Sequence, residues 1–141
     1  MVINDPYFLF NSVDLSDMIK SVSFGREKDE LDDTTGGDSG DRVFEVGLKN
    51  SSIEIVFRQN YGASGADSVD ATIGADYDKA PGAAAVAFEI RRSQAAVAVG
   101  NPKWTGNCHV TSYTGLDGEV GGLQDANATI RVTGAVTRAT S

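Results

Sequence analysis

The sequence predicts a single domain of mainly β structure, with one short helix and one long acidic loop. Its 141 residues fit one domain of ordinary size. Val, Ile and Thr, which favour strands, total 31 residues, whereas Leu and Met total only 8. Several segments also alternate apolar and polar residues with the period of two that is typical of half-buried strands.

Six segments are predicted to form strands, because each combines this alternation with β-branched or aromatic residues. In residues 52–59, for example, three apolar side chains alternate with Ser, Glu and Val. Residues 49–51 are expected to form the turn of a hairpin, and Gly134 indicates a kink or bulge in the last strand. The predicted strands are residues 20–26, 43–48, 52–59, 86–91, 108–113 and 128–138.

One helix is predicted over residues 67–77. Apolar side chains recur there at the four-residue spacing of one helix face, at Val69, Ile73 and Tyr77. Asp67 or Ser68 can serve as the N-cap, and Pro81 follows the end of the pattern. We expect this helix to cover one face of a sheet.

Acidic residues are concentrated in one segment. Residues 27–41 contain seven acidic side chains and one basic side chain, a net charge of −6, while all other residues together carry −2. The part from Asp29 to Asp41 also contains three glycines and only one large apolar residue, Leu31. Such a segment buries too little apolar surface to offset its ordering entropy, so it is predicted to be a long mobile loop. Loops of this length are usually functional or ordered by a partner.

The first 12 residues form the predicted N-terminal arm. It carries three aromatic side chains, Tyr7, Phe8 and Phe10, close to the beginning of the sequence. Aromatic residues near a terminus that nothing protects suggest docking on a partner or on another copy of the chain.

Composition excludes several classes of protein. The single cysteine cannot form an intramolecular disulfide. The longest apolar run, residues 83–88, is too short to cross a bilayer, and no basic residue precedes Lys20, so a secretory signal is not expected. A net charge of −8 argues against a protein whose main task is to grip nucleic acid.

Three motifs suggest chemistry that their context does not support. Residues 37–40 spell the GDSG of chymotrypsin-like proteases, but the only histidine, His109, follows Ser39, whereas that family places its histidine before the serine. The acids of the loop miss the EF-hand spacing for calcium. Trp104 could stack on a sugar or a base, although a lone tryptophan beside a turn more often packs on its own core. No catalytic residue, cofactor site or metal site is predicted.

The order of several short motifs resembles the major tail tube proteins of long-tailed, non-contractile (siphovirus-type) phages. None of the motifs is specific alone, and the likeness covers most of the chain. The matching segments are 13–17 (VDLSD), 22–24 (VSF), 27–34 (EKDELDDT), 101–106 (NPKWTG), 111–113 (TSY), 118–123 (GEVGGL) and 134–140 (GAVTRAT).

This resemblance implies a β-sandwich or partly open β-barrel with one flanking helix. It also implies a structural virion protein without enzymatic activity that forms rings, by family expectation of six copies. The rings stack into a tail tube through which DNA passes during ejection. The partners would be other copies of the chain and the tape measure, tail tip and terminator proteins. The protein would be made in the host cytoplasm and reside in the virion.

The residues that would perform this role fall into two sets. The acidic loop and the N-terminal arm are the candidates for stacking between rings: Asp29, Glu30, Leu31, Asp32, Asp33, Asp38, Asp41, Tyr7, Phe8 and Phe10. Polar residues that alternate with core positions are the candidates for lining the channel: Glu45, Glu54, Arg58, Glu89 and Arg91. Alternation identifies the two faces of a strand but not which face points inward.

Three other functions remain open from the sequence. One is a small β-rich binding module, such as a capsid decoration protein or a carbohydrate binder that uses Trp104 and Tyr113. Another is a tail terminator or connector that forms a single ring. A third, a hydrolase using Ser39 or His109, is the least favoured.

Overall fold

We describe a computed structural model of the chain, covering residues 2–37, 39–62 and 68–141. Seven strands, a 3-10 turn at Ser16–Met18 and a short helical segment make up the ordered elements of these residues. Apolar β-branched and aromatic side chains occur at every second position of the long strands, as the sequence predicts. The strands are β1 (Tyr7–Phe10), β2 (Val13–Asp14), β3 (Ile19–Asp32), β4 (Phe44–Arg58), β5 (Val86–Arg91), β6 (Lys103–Asp117) and β7 (Asp125–Ala139).

All seven strands belong to one antiparallel sheet in the order β2-β1-β5-β6-β7-β4-β3. Hairpins join β1 to β2, β3 to β4 and β6 to β7. The first of these turns at Asn11 and Ser12, which both have positive φ, as a two-residue turn between right-handed twisted strands requires. Strands β2 and β3 are the two edges of the sheet, and neither pairs with a further strand of this chain among the described residues.

The sheet curls until its two ends face each other, which makes a partly open barrel. Phe8 of β1 stacks on Phe57 of β4, with ring centroids 6.3 Å apart, although three strands separate β1 from β4 in the sheet. Phe24 of the edge strand β3 likewise contacts Phe88 of β5 at 6.3 Å. Side chains rather than backbone hydrogen bonds therefore close the barrel. The predicted mainly β, partly open fold is confirmed.

The barrel interior is the hydrophobic core. Every second residue of the central strands points into it, and eleven of its members are at most 1% exposed: Phe8, Phe10, Leu15, Ile53, Ile55, Phe57, Val69, Ile73, Cys108, Ala126 and Ile130. Aromatic residues contribute the largest buried surfaces among these. The sequence predicted Phe8 and Phe10 to dock on another molecule. That prediction is wrong, because β1 lies inside the sheet and both rings pack in the core of their own chain.

The helical segment, residues 70–77, packs against β6. It begins with π-helical geometry over Asp70–Gly74 and ends with an α-helical turn, Ala75–Tyr77. The Ser68 hydroxyl accepts a hydrogen bond from the backbone N–H of Ala71 (3.2 Å), so Ser68 acts as the predicted cap, whereas Asp67 lies outside the described residues. Val69 and Ile73 are buried as expected, but Tyr77 is exposed. No helical segment of the described chain is long and apolar enough to span a membrane.

The hairpin of β3 and β4 differs most from the prediction. The expected turn at residues 49–51 is wrong, because β4 runs without interruption from Phe44 to Arg58. β3 continues to Asp32, so the segment without strand structure begins at Asp33 instead of Asp29. Gly134 in β7 has a φ of +81°. It lies where four residue steps of β7, from Thr133 to Thr137, are opposite two residue steps of β6, from Thr105 to Asn107, which confirms the predicted bulge.

Replacing one aromatic ring of the core should destabilise the soluble chain strongly. Phe57→Ala removes a side chain that is 0% exposed and leaves a cavity, so we expect it to lower the free energy of unfolding by about 3–5 kcal/mol. Phe44→Ala on the same strand is the matched control, because Phe44 is 60% exposed, and it should cost less than about 0.5 kcal/mol. Denaturant unfolding of the unassembled chain measures both. Equal losses for the two variants would contradict this packing.

Candidate assembly surfaces

The most prominent surface feature is a two-stranded arm, residues 26–51, formed by the outer halves of β3 and β4. β4 pairs with β7 only from Ser52 to Arg58, so beyond Ser52 the β3–β4 hairpin continues without a third strand. Backbone pairing extends along the arm to the pair of Asp32 and Phe44. The predicted loop is therefore largely a projecting hairpin.

Hydrogen bonds close the end of the arm at residues 33–43. The N–H of Asp33 donates to the Val43 carbonyl (2.9 Å), and the Thr34 hydroxyl bonds both the N–H and the carbonyl of Val43 (2.9 and 3.1 Å). The Thr34 hydroxyl beside the Asp32 carboxylate, together with the Thr34 backbone N–H that donates to it (3.0 Å), lowers the pKa of Asp32. The base of the terminal turn is thus tied to both strands.

The predicted stacking residues fall in different parts of the arm. Asp29, Glu30, Leu31 and Asp32 lie on β3 and are exposed, contrary to their predicted position in a loop. Asp33 and Asp41 belong to the terminal turn, and Asp38 lies outside the described residues. The acidic character of the segment is therefore displayed along a structured hairpin.

The arm also exposes large apolar side chains, which the sequence analysis missed. Phe44, Val46 and Leu48 of β4 are 60%, 56% and 80% exposed, and Leu31 on β3 is also exposed. The alternation in residues 43–48 was the available signal, but alternation cannot tell a core-facing side from an uncovered one. Exposed apolar patches of this kind mark interaction surfaces.

A second candidate surface is the outward face of β3, β4, β7 and β6. Its side chains are mostly small and polar, and its charged groups include the ion pair of Lys20 with Asp125 at 3.0 Å. Glu54 and Arg58 from the predicted channel set lie on this face and are exposed. We call it the polar face, and its members include Ser21, Ser23, Ser52, Glu54, Arg58, Asn127, Thr129 and Arg131.

Two other predicted channel residues, Glu89 and Arg91, lie on a different side of the barrel. They form an ion pair with each other at 3.1 Å on β5, and Lys103 lies 3.8 Å from Glu89. The Arg91 guanidinium also stacks on the Tyr7 ring, 3.9 Å from its centroid. The predicted stacking residue Tyr7 is thus half-buried and engaged within its own chain.

Because the sheet curls, the polar face with Glu54 and Arg58 and the Glu89–Arg91 pair cannot line the same channel. Phe24 of β3 and Phe88 of β5 meet inside the barrel, so the outward faces of β3 and β5 point in opposite directions. The polar face and the Glu89–Arg91 pair are therefore on opposite sides. Glu45, the fifth predicted channel residue, lies on the arm opposite Leu31.

At the end of the barrel away from the arm, polar side chains hold the connections together. The Tyr113 hydroxyl donates to Asp70 (2.8 Å) and accepts from Gln59 Nε2 (2.9 Å), which ties the helical segment to β6 and to the end of β4. Burial, assisted by the Asp70 carboxylate, raises the pKa of Tyr113 to about 12. Tyr113, a possible ligand-stacking residue from the sequence, therefore has a structural role.

A buried carboxylate, which sequence reasoning did not single out, fixes the helical segment to the barrel. Asp76 Oδ2 accepts the backbone N–H of Val110 in β6 (3.0 Å), and Lys79 Nζ lies 3.0 Å from Asp76 Oδ1. Burial, together with the negative charge of Asp76, raises the pKa of the Cys108 thiol to about 12. Cys108 is therefore a protonated core residue.

The residues that suggested chemistry are not assembled into a site. Ser39 is in the terminal turn of the arm, whereas His109 pairs with Arg131, which pairs with Ser52 at the base of the arm. Trp104 packs beside Phe24, with ring centroids 6.0 Å apart. Among the described residues, no three His, Cys, Asp or Glu side chains are grouped to hold a metal ion.

No protein-family model matches the sequence, and no curated protein sequence matches it either. The structure, by contrast, resembles several assembled tube proteins. A protein from the sheath/tube terminator of an extracellular contractile injection system has a TM-score of 0.73 at 11% identity, with 99% of this chain and 96% of that chain covered.

Two further neighbours are proteins of tails. One is from the tail of a gene transfer agent particle solved with C6 symmetry, with a TM-score of 0.65, 14% identity and coverage of 86% and 82% of the two chains. The other is the tail tube protein of SPP1, with a TM-score of 0.65, 17% identity and coverage of 97% and 77%. The chain therefore has the fold found in phage tail tube and tube terminator proteins.

The Cys108 thiol should be inert in the folded chain. We expect no reaction with an aromatic disulfide reagent at pH 8, because the thiol is protonated and fully shielded, and reaction of one thiol per chain after unfolding in denaturant. Absorbance of the released thiolate measures both. Reaction of the native chain at the rate of the denatured chain would contradict this burial.

Proposed function

We propose that the chain is the structural subunit of a phage-type tail tube. Copies form closed rings, six to a ring, and the rings stack into a hollow conduit through which DNA is ejected. The observation that carries this proposal is a partly open barrel with an exposed apolar hairpin arm, a surface expected in an assembly rather than in an isolated domain. The fold shared with tail tube proteins supports it.

Ring formation is supported by the two unpaired edges of the sheet. β3 presents free backbone groups over many residues, and β2 ends the other side of the sheet. Open edges invite pairing with another chain, and a closed ring satisfies every edge without leaving one exposed. The number six follows the symmetry of the gene transfer agent tail.

The polar face lines the channel in this proposal. Most side chains of the polar face are short hydroxyls and amides. Lysine and arginine, whose contacts with phosphates hold DNA through counterion release, are few on this face. The basic residues Lys20 and Arg131 are engaged by Asp125 and Asn50 (3.0 and 3.2 Å). Of the predicted channel residues, Glu54 and Arg58 then face the DNA, whereas Glu89 and Arg91 lie on the side away from the channel.

The protein acts without catalysis, cofactor or metal, as a virion component made in the host cytoplasm. Its partners are its own copies and the tape measure, tail tip and terminator proteins. A second candidate function is a terminator that forms one ring, since a protein from the sheath/tube terminator of the contractile injection system has the same fold. The two functions differ in whether rings stack without limit.

Electron microscopy of the purified protein at high concentration tests the proposal. The parent chain should form tubes, because rings carry arms for stacking. A variant with residues 29–48 replaced by Asn-Gly, between the paired Lys28 and Lys49, should keep its folded barrel by circular dichroism and its rings but form no tubes, since the cut removes the exposed apolar side chains of the arm and leaves the barrel intact. Rings alone from the parent would favour the terminator function, and dispersed single chains under all conditions would contradict both functions.

Labelling of assembled tubes tests which face lines the channel. Ser23→Cys, on the polar face, should react with a small maleimide but not with a maleimide polymer too wide for the channel. Ala87→Cys is the matched control, because Ala87 is exposed on the outward side of β5, and it should react with both. The native Cys108 is buried and adds no background. Equal reaction of the Ser23→Cys tubes with both reagents would place the polar face outside.

A further inference from the structure

The arm and its receptor are at opposite ends of the same molecule. We propose that the apolar side of the arm docks onto the turn between β6 and β7 of a copy in the next ring. This inference rests on the proposed tube function and names the surface that receives the arm. We call the receiving surface the turn patch, and it consists of Leu116, Asp117, Glu119, Val120 and Leu123.

The apolar side of the arm is the continuation of the barrel's inner face. Ile53 and Ile55 point into the core, Ser51 is nearly buried, and the same side of the hairpin then runs out of the barrel to Val46 and Phe44. Nothing in the described chain covers this side. It forms an open groove of ≈ 580 Å³.

The groove has basic side chains beside its apolar residues. Arg26, Lys28 and Lys49 line it near the barrel, with Glu30 further along β3, and Glu27 and Asp29 from the other side of β3 also contribute to its lining. The side chains that the strand register places on the groove side itself carry three positive charges and one negative charge. This side of the arm is thus locally basic even though the arm as a whole is acidic. Its partner should therefore be an apolar surface with acidic neighbours.

The turn patch has that chemistry. Leu116 and Leu123 are 76% and 70% exposed, and Val120 at the tip of the turn is fully exposed. Asp117 and Glu119 alternate with these aliphatic side chains along the turn. Aliphatic residues that project from a turn with adjacent carboxylates complement an apolar groove with basic walls.

The turn patch is also held in shape before any partner binds. The Gly122 N–H donates to the Glu119 carbonyl (2.9 Å), and Gly121 supplies the positive φ of the turn. The Tyr61 hydroxyl lies 2.6 Å from the Gly115 carbonyl and 2.8 Å from Gln124 Oε1, which ties the base of the turn to the end of β4. Preorganisation lowers the entropy cost of docking.

The strand register places the two surfaces far apart. β4 runs from Phe44 in the arm to Arg58, and Arg58 pairs with Asp125 directly after the turn. Fifteen extended residues span about 45 Å, so the arm cannot reach the turn patch of its own chain. A second copy displaced along the strand direction brings its turn patch to the arm.

Docking of one surface onto a different surface is heterologous and does not close on itself along the stacking direction. Each ring then offers free arms on one side and free turn patches on the other, so a tube can grow without limit and has a direction. Six weak contacts at each junction act together and give a stable stack.

Two variants with complementary defects test this arrangement. Phe44→Asp with Val46→Asp removes the apolar side of the arm, and Val120→Asp with Leu123→Asp removes the turn patch. Each variant alone should form rings but no tubes. When separately formed rings of the two variants are combined, they should form pairs of rings and nothing longer. The intact arms of the second variant dock onto the intact turn patches of the first, and the pair then exposes only altered arms and altered turn patches. Electron microscopy and sedimentation measure the pairs.

A control variant and a charge exchange make the outcome specific. Val99→Asp adds the same charge at another exposed valine near the arm end and should still form tubes. Lys49→Glu should raise the protein concentration needed for tubes by roughly fivefold or more, and adding Glu119→Lys should restore it. If the aspartate variants fail to form rings, the exchange of Lys49→Glu and Glu119→Lys still tests whether the arm docks onto the turn patch.

The results separate this inference from the function on which it rests. Tubes from either double aspartate variant alone, combined rings of the two variants that do not pair, or no rescue by Glu119→Lys would overturn the docking of arm and turn patch while leaving the tube function intact. Absence of rings and tubes from the parent chain would overturn the tube function itself.

Discussion

Contacts between aromatic rings across the barrel interior hold the two halves of this sheet together. Phe8 against Phe57 and Phe24 against Phe88 bring strands into contact that are not neighbours in the sheet. Because these contacts involve side chains only, the barrel closes without backbone pairing between β3 and the strands it faces. The same constraint therefore produces both a stable core and two sheet edges with unused hydrogen-bonding groups. The stability of the single chain and the unpaired edges of its sheet therefore have a common origin.

The arm follows from the same sheet. β3 and β4 extend beyond the rest of the barrel. The same side of β4 that buries Ile53 and Ile55 inside the barrel is therefore uncovered at Val46 and Phe44, a few residues further along. Inside the single chain no other part of the described structure covers these apolar side chains. In the proposed tube, burial of their apolar area against another copy would favour association.

Charged side chains are distributed unevenly among the polar face, the opposite side of the barrel and the arm. The polar face has short hydroxyl and amide groups, and two of its basic residues, Lys20 and Arg131, have partners within the chain. The opposite side contains the Glu89, Arg91 and Lys103 cluster, and eight of the twenty acidic residues lie on the arm. In the proposed tube this distribution leaves few basic groups, Arg58 among them, to contact DNA in the channel, and it places other charged groups where subunits could meet. The overall net charge of −8 alone could not have revealed this arrangement.

The sequence by itself determined the local structure: the strand segments around Ile53 and Ile130, the bulge at Gly134 and the capping Ser68. Each depends on neighbours in the chain, whose periodicity and backbone preferences are readable directly. Only the tertiary structure decided which faces were covered. Phe8 and Phe10 became core residues because β1 inserts beside β5, Glu89 and Glu54 were separated by the curl of the sheet, and Phe44 was left exposed because no third strand accompanies the arm. Alternation defines two faces of a strand, and pairing between distant segments determines what each face meets.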